Sequence, residues 1–373
     1  MSAQSSAMAH AVTDDQRFMA LALALGHRGF GRAWPNPAVG AVIVKDGMLV
    51  GRGWTQPGGR PHAEIEALRR AGAAARGATL YVTLEPCSHY GKTPPCADAI
   101  AAAGIARVVS AIEDPNPKVA GSGHARLRAA GIAVDIGIGA DAARRHHAGH
   151  ILRMREGRPH VTLKLAVSAD GKAGAAGRRP FAITGDAARD RVHLLRAQSD
   201  AIMIGIGTAL ADDPVLTCRL PGMTDDSPLR VVLDSALRLP LGSRLVQTAR
   251  LTPLWVIAGP NAPGEVEEAL RRSGVDVMRA NETDGRFDLE VVLKLLGTRG
   301  ITRLLSEGGP TVATALLAAD LVDEAILFHS TKIVGSGAVE ALETAARLSL
   351  ERQLKHVGSL PVGTDREDIY ERR

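Results

Sequence analysis

Two runs decide how this chain is read: Pro61-His62-Ala63-Glu64, and Thr83-Leu84-Glu85-Pro86-Cys87-Ser88-His89-Tyr90-Gly91-Lys92-Thr93-Pro94-Pro95-Cys96. Together they offer one imidazole, a carboxylate two residues later, and two thiols separated by eight residues. Zinc takes N and S donors in a tetrahedron, and a catalytic site keeps one position open. His62, Cys87 and Cys96 supply three ligands, which leaves Glu64 as a carboxylate that moves protons instead of binding metal. Alone, His62 would be an ordinary surface or capped ring, and either Cys a small buried apolar group. The joint spacing, with Pro86 before the first Cys, carries the inference. It differs from the shorter P-C-x-x-C form in the length of the loop between the cysteines.

The spacing also sets the local geometry. Residues i and i+2 of a helix point roughly 200° apart. His62 and Glu64 therefore share a site only where a helix end points at it. Pro61 suits a helix start, and Ile65, Ala67 and Leu68 give that helix an apolar side. A strand over 79–84 then runs into Pro86-Cys87, and Pro94-Pro95-Cys96 opens a helix over 97–103. Two helix N-termini facing the metal favour thiolate over thiol.

With 373 residues the chain is long enough for two domains. Aromatic residues make up 3% of the chain, so Val, Leu, Ile and Ala must build the cores. Three cysteines are too few for a disulfide framework; with two assigned to zinc, Cys218 is a spare thiol of a reducing cytoplasm. No apolar run approaches the ~20 residues needed to span a bilayer, and the first dozen residues do not read as a secretory signal. The net charge of +5 lies in the first 150 residues, with 16 Lys+Arg against 11 Asp+Glu; the remainder balances at 29 against 29. That surplus suits a phosphorylated small molecule and gives no nucleic-acid footprint, which would show clustered basic residues. The one dense cluster, Arg144-Arg145-His146-His147, reads as a solvated helix face.

Working outward, residues 14–29 predict a helix capped by Thr13 or Asp14 and stopped near Gly26 or Gly29. The prolines of 34–37 fix an extended loop, with Asn36 placed to present its amide to a ligand, before an apolar strand. Asp46-Gly47 is a hairpin signal, and 48–53 return as a second strand. Helix 62–71, strand 79–84, helix 97–103, strand 106–112 and a helix–strand pair over 121–138 follow. That order predicts a three-layer α/β domain with a mixed sheet over 13–150. After a connecting segment, a second domain over 158–373 begins with a strand. It has a helix at 186–197 capped by Thr184 or Asp186. Strands at 200–205, 229–234, 253–258, 275–278, 302–305 and 323–329 alternate with helices at 264–272, 288–296 and 311–318, so the sheet is predicted largely parallel. Gly205-Ile206-Gly207 lacks the third glycine of a dinucleotide fingerprint. Ser306-Glu307-Gly308-Gly309-Pro310-Thr311 instead offers a helix N-terminus to an anion.

These residues resemble the bifunctional riboflavin-biosynthesis deaminase/reductase family over about 13–365. The resemblance rests on P-C-S-H-Y-G-K-T-P-P-C at 86–96, K-L-A-V-S-A-D-G-K, L-L-R-A-Q-S-D-A-I, A-D-D-P-V-L-T-C-R and S-E-G-G-P-T. It implies a cytidine-deaminase-like N-terminal domain with zinc and a dihydrofolate-reductase-like C-terminal α/β domain with NADPH. The implied reactions are deamination of a 2,5-diamino-6-(5-phosphoribosylamino)pyrimidin-4-one, then reduction of its ribosyl chain to ribityl. It implies His62, Cys87 and Cys96 as Zn2+ ligands, Glu64 as the proton carrier and Asn36 as a substrate contact, with His89 and Lys92 as weaker ones. It places NADPH at Ala166, Thr208, Asp212, Ser235 and the turn Gly309, Pro310, Thr311, and substrate at Pro180, Arg196, Leu216, Arg219 and Glu307. Arg196 and Arg219 are expected as guanidinium forks for the ribose phosphate. Where the family has S-x-W-I-T, this chain has Pro180-Phe181-Ala182-Ile183-Thr184. Pro180 then stands for the substrate-touching Ser and Ala182 for the cofactor-packing Trp, with Phe181 left to stack. The partners implied are a phosphorylated pyrimidine and further copies of the chain in a homo-oligomer, without nucleic acid or membrane. The alternative is a nucleoside or tRNA-base deaminase whose C-terminal domain binds without reducing.

Overall fold

Gly40-Ala41-Val42-Ile43-Val44 is buried without interruption, the pattern of a strand covered on both faces. It is an interior strand of the first of two units in this computed structural model. The structure describes residues 13–91, 94–117, 119–174, 181–283 and 285–373. One unit holds the described residues up to Gly29 together with Asn36–Ile151. The other holds Phe30–Pro35 and Leu152–Arg373.

The first unit runs α1 (Asp14–Gly26), β1 (Gly40–Lys45), β2 (Met48–Trp54), α2 (Ala63–Ala71), β3 (Thr79–Val82), α3 (Cys96–Ala102), β4 (Arg107–Ser110), α4 (Ser122–Ala129), β5 (Ala133–Ile136), α5 (Ala140–His146) and the first residues of α6 (Ala148–Glu156), which passes into the second unit at Leu152. The sheet order is β2-β1-β3-β4-β5. β1 is antiparallel to both neighbours, while β3, β4 and β5 are parallel. This is the predicted mixed sheet with helices on both faces. Thr13, not Asp14, is the N-cap of α1, in a reciprocal capping box with Gln16. Glycine lets α2 press onto β2: a Cβ on Gly53 would stand 2.2 Å from the Ala63 carbonyl oxygen, and one on Gly51 2.4 Å from that of Ala67. That close approach seats the first turn of α2, and with it Glu64, against the sheet.

The second unit continues with β6 (His160–Val167), β7 (Lys172–Gly174), α7 (Asp186–Ala197), β8 (Ala201–Gly205), α8 (Ile206–Asp212), β9 (Leu229–Leu233), α9 (Arg244–Gln247), β10 (Leu254–Ala258), α10 (Gly264–Arg272), β11 (Asp276–Arg279), β12 (Glu282–Thr283), β13 (Arg286–Phe287), α11 (Leu289–Thr298), β14 (Arg303–Ser306), α12 (Pro310–Ala318), β15 (Glu324–His329), β16 (Val339–Glu340), α13 (Thr344–Gln353), β17 (Leu354–Val362) and β18 (Asp365–Arg372). Nine strands form one sheet in the order β11-β10-β9-β8-β14-β6-β15-β18-β17. From β11 to β15 every pairing is parallel. β18 then enters antiparallel and pairs with β17. The parallel part matches the prediction; the antiparallel hairpin of β17 and β18 was not anticipated. The expected cap of α7 also differs. Its N-cap is Gly185, without a side-chain cap bond, and the Gly185 N–H donates to Asp365 Oδ2 at 2.7 Å.

Candidate active sites

His62 is the N-cap of α2 and Cys96 the first residue of α3, so both helix starts converge as the spacing predicted. Pro61 lies two residues before its helix, ahead of the cap. His62 Nδ1 stands 3.6 Å from Cys87 Sγ and 3.4 Å from Cys96 Sγ, and the three donor atoms lie within 4.8 Å of one another. Zinc bonds of about 2.3 Å to sulfur and 2.0–2.1 Å to nitrogen, set at tetrahedral angles, require N···S separations of about 3.6 Å. The residues therefore fit that ion by donor type and by spacing. The Cys96 N–H also donates to Cys87 Sγ at 3.2 Å, as a helix N-terminus does for a thiolate.

The electrostatics divide the sulfurs. The Cys96 thiol donates to Cys87 and, with the His62 ring, holds the Cys87 thiol down to about 4. That same bond and burial push Cys96 well up. His62 is raised, chiefly by its bond to Cys87. Glu64 is 4% exposed, and burial raises its carboxyl although His62 opposes the shift. A carboxyl displaced upward beside three metal donors is suited to carrying a proton near neutral pH. Asn36 sits behind the ligand ring: its Nδ2 donates to Gly59 O at 2.8 Å and lies 3.3 Å from His62 Nε2. With Nδ1 turned to the sulfurs, the ring proton belongs on Nε2; the Asn36 amide nitrogen is itself a donor, so its contact with that tautomer is not a hydrogen bond, and Asn36 is held by Gly59. His89 is exposed, and Lys92 lies outside the described residues.

A residue that sequence reasoning missed holds the approach to Cys87. Glu85 is buried and accepts four backbone N–H groups, from Asp114, Gly121, Gly123 and His124, at 2.7–3.2 Å. Glu85, Glu113 and His124 form a second convergence of possible metal donors. The four N–H bonds occupy the lone-pair directions of the Glu85 carboxylate, so this cluster is a backbone latch and not a metal centre. A buried Glu just before a Pro-Cys pair was a readable signal for it.

In the second unit the parallel strands end along one edge, where ligands of such sheets bind. Ala166 is at the end of β6, Thr208 and Asp212 are in α8 just after β8, Ser235 follows β9, and Glu307 follows β14. Gly309 is the N-cap of α12, with Pro310 at its first position, and the Gly309 N–H donates to Thr208 Oγ1 at 3.2 Å. That bond brings the α8 and α12 starts together, so two of the expected cofactor segments adjoin. Leu216 is buried, with φ +59°, an uncommon conformation for a bulky residue and a mark of a constrained loop. Arg196 is not an open fork here: its Nε and Nη2 lie 2.7 and 2.9 Å from the Glu307 oxygens. Lys164 Nζ is 3.5 Å from the same carboxylate. Burial alone would raise Glu307, but Arg196 and Lys164 outweigh it and hold the carboxyl at about 2. Lys164 was visible in the K-L-A-V run, yet one Lys in an apolar strand gives no local sign of its partner. Arg219 is exposed and close enough to Arg196 to feel its charge. Pro180 lies outside the described residues.

Comparison with known proteins agrees with this geometry. Residues 12–112 match the family model for the cytidine and deoxycytidylate deaminase zinc-binding region, and residues 159–365 that for the RibD C-terminal domain. The chain is 43% identical over 363 residues to riboflavin biosynthesis protein RibD of Escherichia coli (strain K12), covering 92% of this chain and 97% of that one. It is 41% identical to the Aquifex aeolicus protein of the same name, with 87% and 88% covered. The solved structure of Acinetobacter baumannii RibD aligns with a TM-score of 0.85 at 37% identity, over 96% of this chain and 99% of that one. A Thermotoga maritima structure, described as a diaminohydroxyphosphoribosylaminopyrimidine deaminase/5-amino-6-(5-phosphoribosylamino)uracil reductase, aligns with a TM-score of 0.82 at 34% identity and the same coverage. The first half is thus cytidine-deaminase-like and the second a RibD C-terminal reductase domain. With both halves matched and its relatives covered almost end to end, this chain belongs to the family of the riboflavin biosynthesis protein RibD.

Proposed function

We propose that the first unit removes the 2-amino group of 2,5-diamino-6-(5-phosphoribosylamino)pyrimidin-4-one as ammonia, and that the second reduces the ribosyl chain of the product to ribityl. As a member of its family the chain is a riboflavin-biosynthesis enzyme that uses zinc and NADPH. His62, Cys87 and Cys96 would hold the zinc, which supplies a nucleophilic water at neutral pH. Glu64 takes a proton from the attacking water and returns it to the exocyclic nitrogen as the C–N bond breaks. The Asn36 amide meets the pyrimidine. In the second unit NADPH supplies the hydride. Ala166, Thr208, Asp212, Ser235 and the Gly309-Pro310-Thr311 turn bind it, while Arg196, Leu216, Arg219 and Glu307 orient the phosphorylated sugar.

One observation carries the proposal: the His62 Nδ1 to sulfur distances of 3.4 and 3.6 Å, matched to zinc, beside the buried Glu64 carboxyl. The reading also places the enzyme in the cytoplasm, as a homo-oligomer acting on a free small molecule and not on nucleic acid or at a membrane. The free thiols Cys87, Cys96 and Cys218 support a reducing compartment. Among the described residues no helix is long and apolar enough to cross a membrane. The test is to assay the half-reactions separately on purified full-length protein: ammonia release from the diaminopyrimidinone phosphate, and NADPH oxidation with the deaminated compound. Ammonia release without NADPH oxidation would refute the second half of the proposal, and the converse would refute the first.

A further inference from the structure

Three histidines at the junction of α5 and α6 play no part in the chemistry above, yet all are buried: His146 at 5%, His147 at 2% and His150 at 8% exposure. His146 and His147 belong to the cluster Arg144-Arg145-His146-His147, expected as a solvated helix face, yet both are buried. Each ring instead reaches a different segment of the deaminase wall through Nε2. His146 lies 2.6 Å from the Ala38 carbonyl oxygen; a carbonyl only accepts, so this ring donates from Nε2. Ala38 is two residues beyond Asn36, whose amide lies 3.3 Å from His62 Nε2. Room for the ring comes from Gly26, where a Cβ would stand 2.9 Å from His146 Nε2. His147 Nε2 lies 3.0 Å from Thr83 Oγ1, which also accepts the Gly40 N–H at 3.1 Å. Thr83 begins the run that ends at Cys87. His150 Nε2 lies 3.2 Å from Asp114 Oδ1, and the Asp114 N–H is held by Glu85 at 3.1 Å.

We infer that His146, His147 and His150 are positioning residues for deamination. They register the segments carrying Asn36, Cys87 and the Glu85 latch from one side of the unit, without touching substrate or metal. Groups just outside a metal's ligands commonly contribute 10–100-fold in affinity or activity, and a misplacement of about 1 Å at a reacting centre costs on the order of 10²-fold. Three bonds from five consecutive residues make that support depend on a single short stretch.

The inference rests on the proposed deaminase, so the wild-type half-reaction is measured first. If wild-type protein releases no ammonia, the functional reading fails and the histidines have nothing to position. Given wild-type activity, the test compares His147→Leu with His147→Gln, whose amide can still reach Thr83, and adds His150→Ala as a milder variant nearer the surface. Each is assayed for bound zinc, for kcat and KM of ammonia release, and for NADPH oxidation with deaminated substrate. His147→Leu and His150→Ala are expected to lower kcat/KM of ammonia release about tenfold or more, with NADPH oxidation within about twofold of wild type. His147→Gln is expected to recover most of the loss. Unchanged ammonia release in both His147→Leu and His150→Ala would overturn the inference. So would an equal fall of both half-reactions, or a His147→Gln variant as impaired as His147→Leu.

Discussion

Cys96 Sγ lies 3.4 Å from His62 Nδ1, two atoms brought together by the first residue of one helix and the cap of another. Cys96 holds its proton while Cys87 is ionised at about 4 and His62 is raised. Binding zinc at pH 7 should therefore displace at least one proton per ion, that of Cys96. Calorimetry of zinc addition to chelator-stripped protein, in buffers of different ionisation enthalpy, reads that number. No buffer dependence would contradict this division of charge.

Cys96→Ser should lose zinc, lower the melting temperature of the first unit and abolish ammonia release. NADPH oxidation with deaminated substrate should persist, because the two sets of site residues belong to different units. Metal analysis and the paired assays check this. Loss of both activities would show that the second unit needs the first to fold.

Arg196 and Glu307 form a buried pair with side-chain exposures of 12% and 8%. Removing one partner of such a pair leaves an uncompensated charge, at about 3–5 kcal/mol. Glu307→Gln should cost stability in that range and raise KM for the reductase substrate, while Arg196→Met/Glu307→Met should be less destabilised than the single variant. The pH dependence has a definite sign. The carboxyl is held at about 2 in the fold against about 4.3 in an unfolded chain. Its contribution is therefore present above about pH 4.3 and is lost as pH falls towards 2. Urea melts of wild type and Glu307→Gln should converge over that window.

His124 is 1% exposed and neither ring nitrogen makes a hydrogen bond. Burying an unsatisfied polar group costs about 1–3 kcal/mol. Leucine has a similar volume and no such need, so His124→Leu should stabilise the protein by about 1 kcal/mol at pH 8. Burial also lowers the ring's pKa, with Glu85 opposing. The unfolded chain therefore takes up the proton first, and wild-type stability should fall as pH drops below about 6.5. The advantage of His124→Leu should grow from pH 8 to pH 5; a constant difference would mean that His124 finds a partner in solution.

How much of this was legible in the sequence follows the range of the forces involved. His62 and Cys96 lie at helix starts and Cys87 in the loop after a strand, each with a proline beside it, and the β-β-α-β-α-β-α-β order follows from runs such as Ala41–Val44 and Leu80–Val82. What local pattern could not supply was contact between distant segments. Arg196 and Glu307 are 111 residues apart, and no local pattern announces that the expected phosphate fork is paired with a carboxylate. Gly185 is satisfied by Asp365, so a local Thr or Asp cap was not needed. β17 carries Gly358 and Pro361 and is mostly exposed, which hid a strand whose partner β18 buries Asp365, Glu367 and Asp368. The segment Phe30–Pro35, read as part of the first domain, belongs to the second unit; there Arg303 lies 4.1 Å over the Phe30 ring.

The central claim is that a proton-carrying carboxyl beside a His-Cys-Cys zinc centre performs deamination separately from reduction. Glu64→Gln tests it most directly, with zinc content and both half-reactions measured on the same full-length preparation. The account predicts wild-type zinc, no detectable ammonia release and undiminished NADPH oxidation with deaminated substrate. Ammonia release at the wild-type rate, with zinc in place, would contradict it.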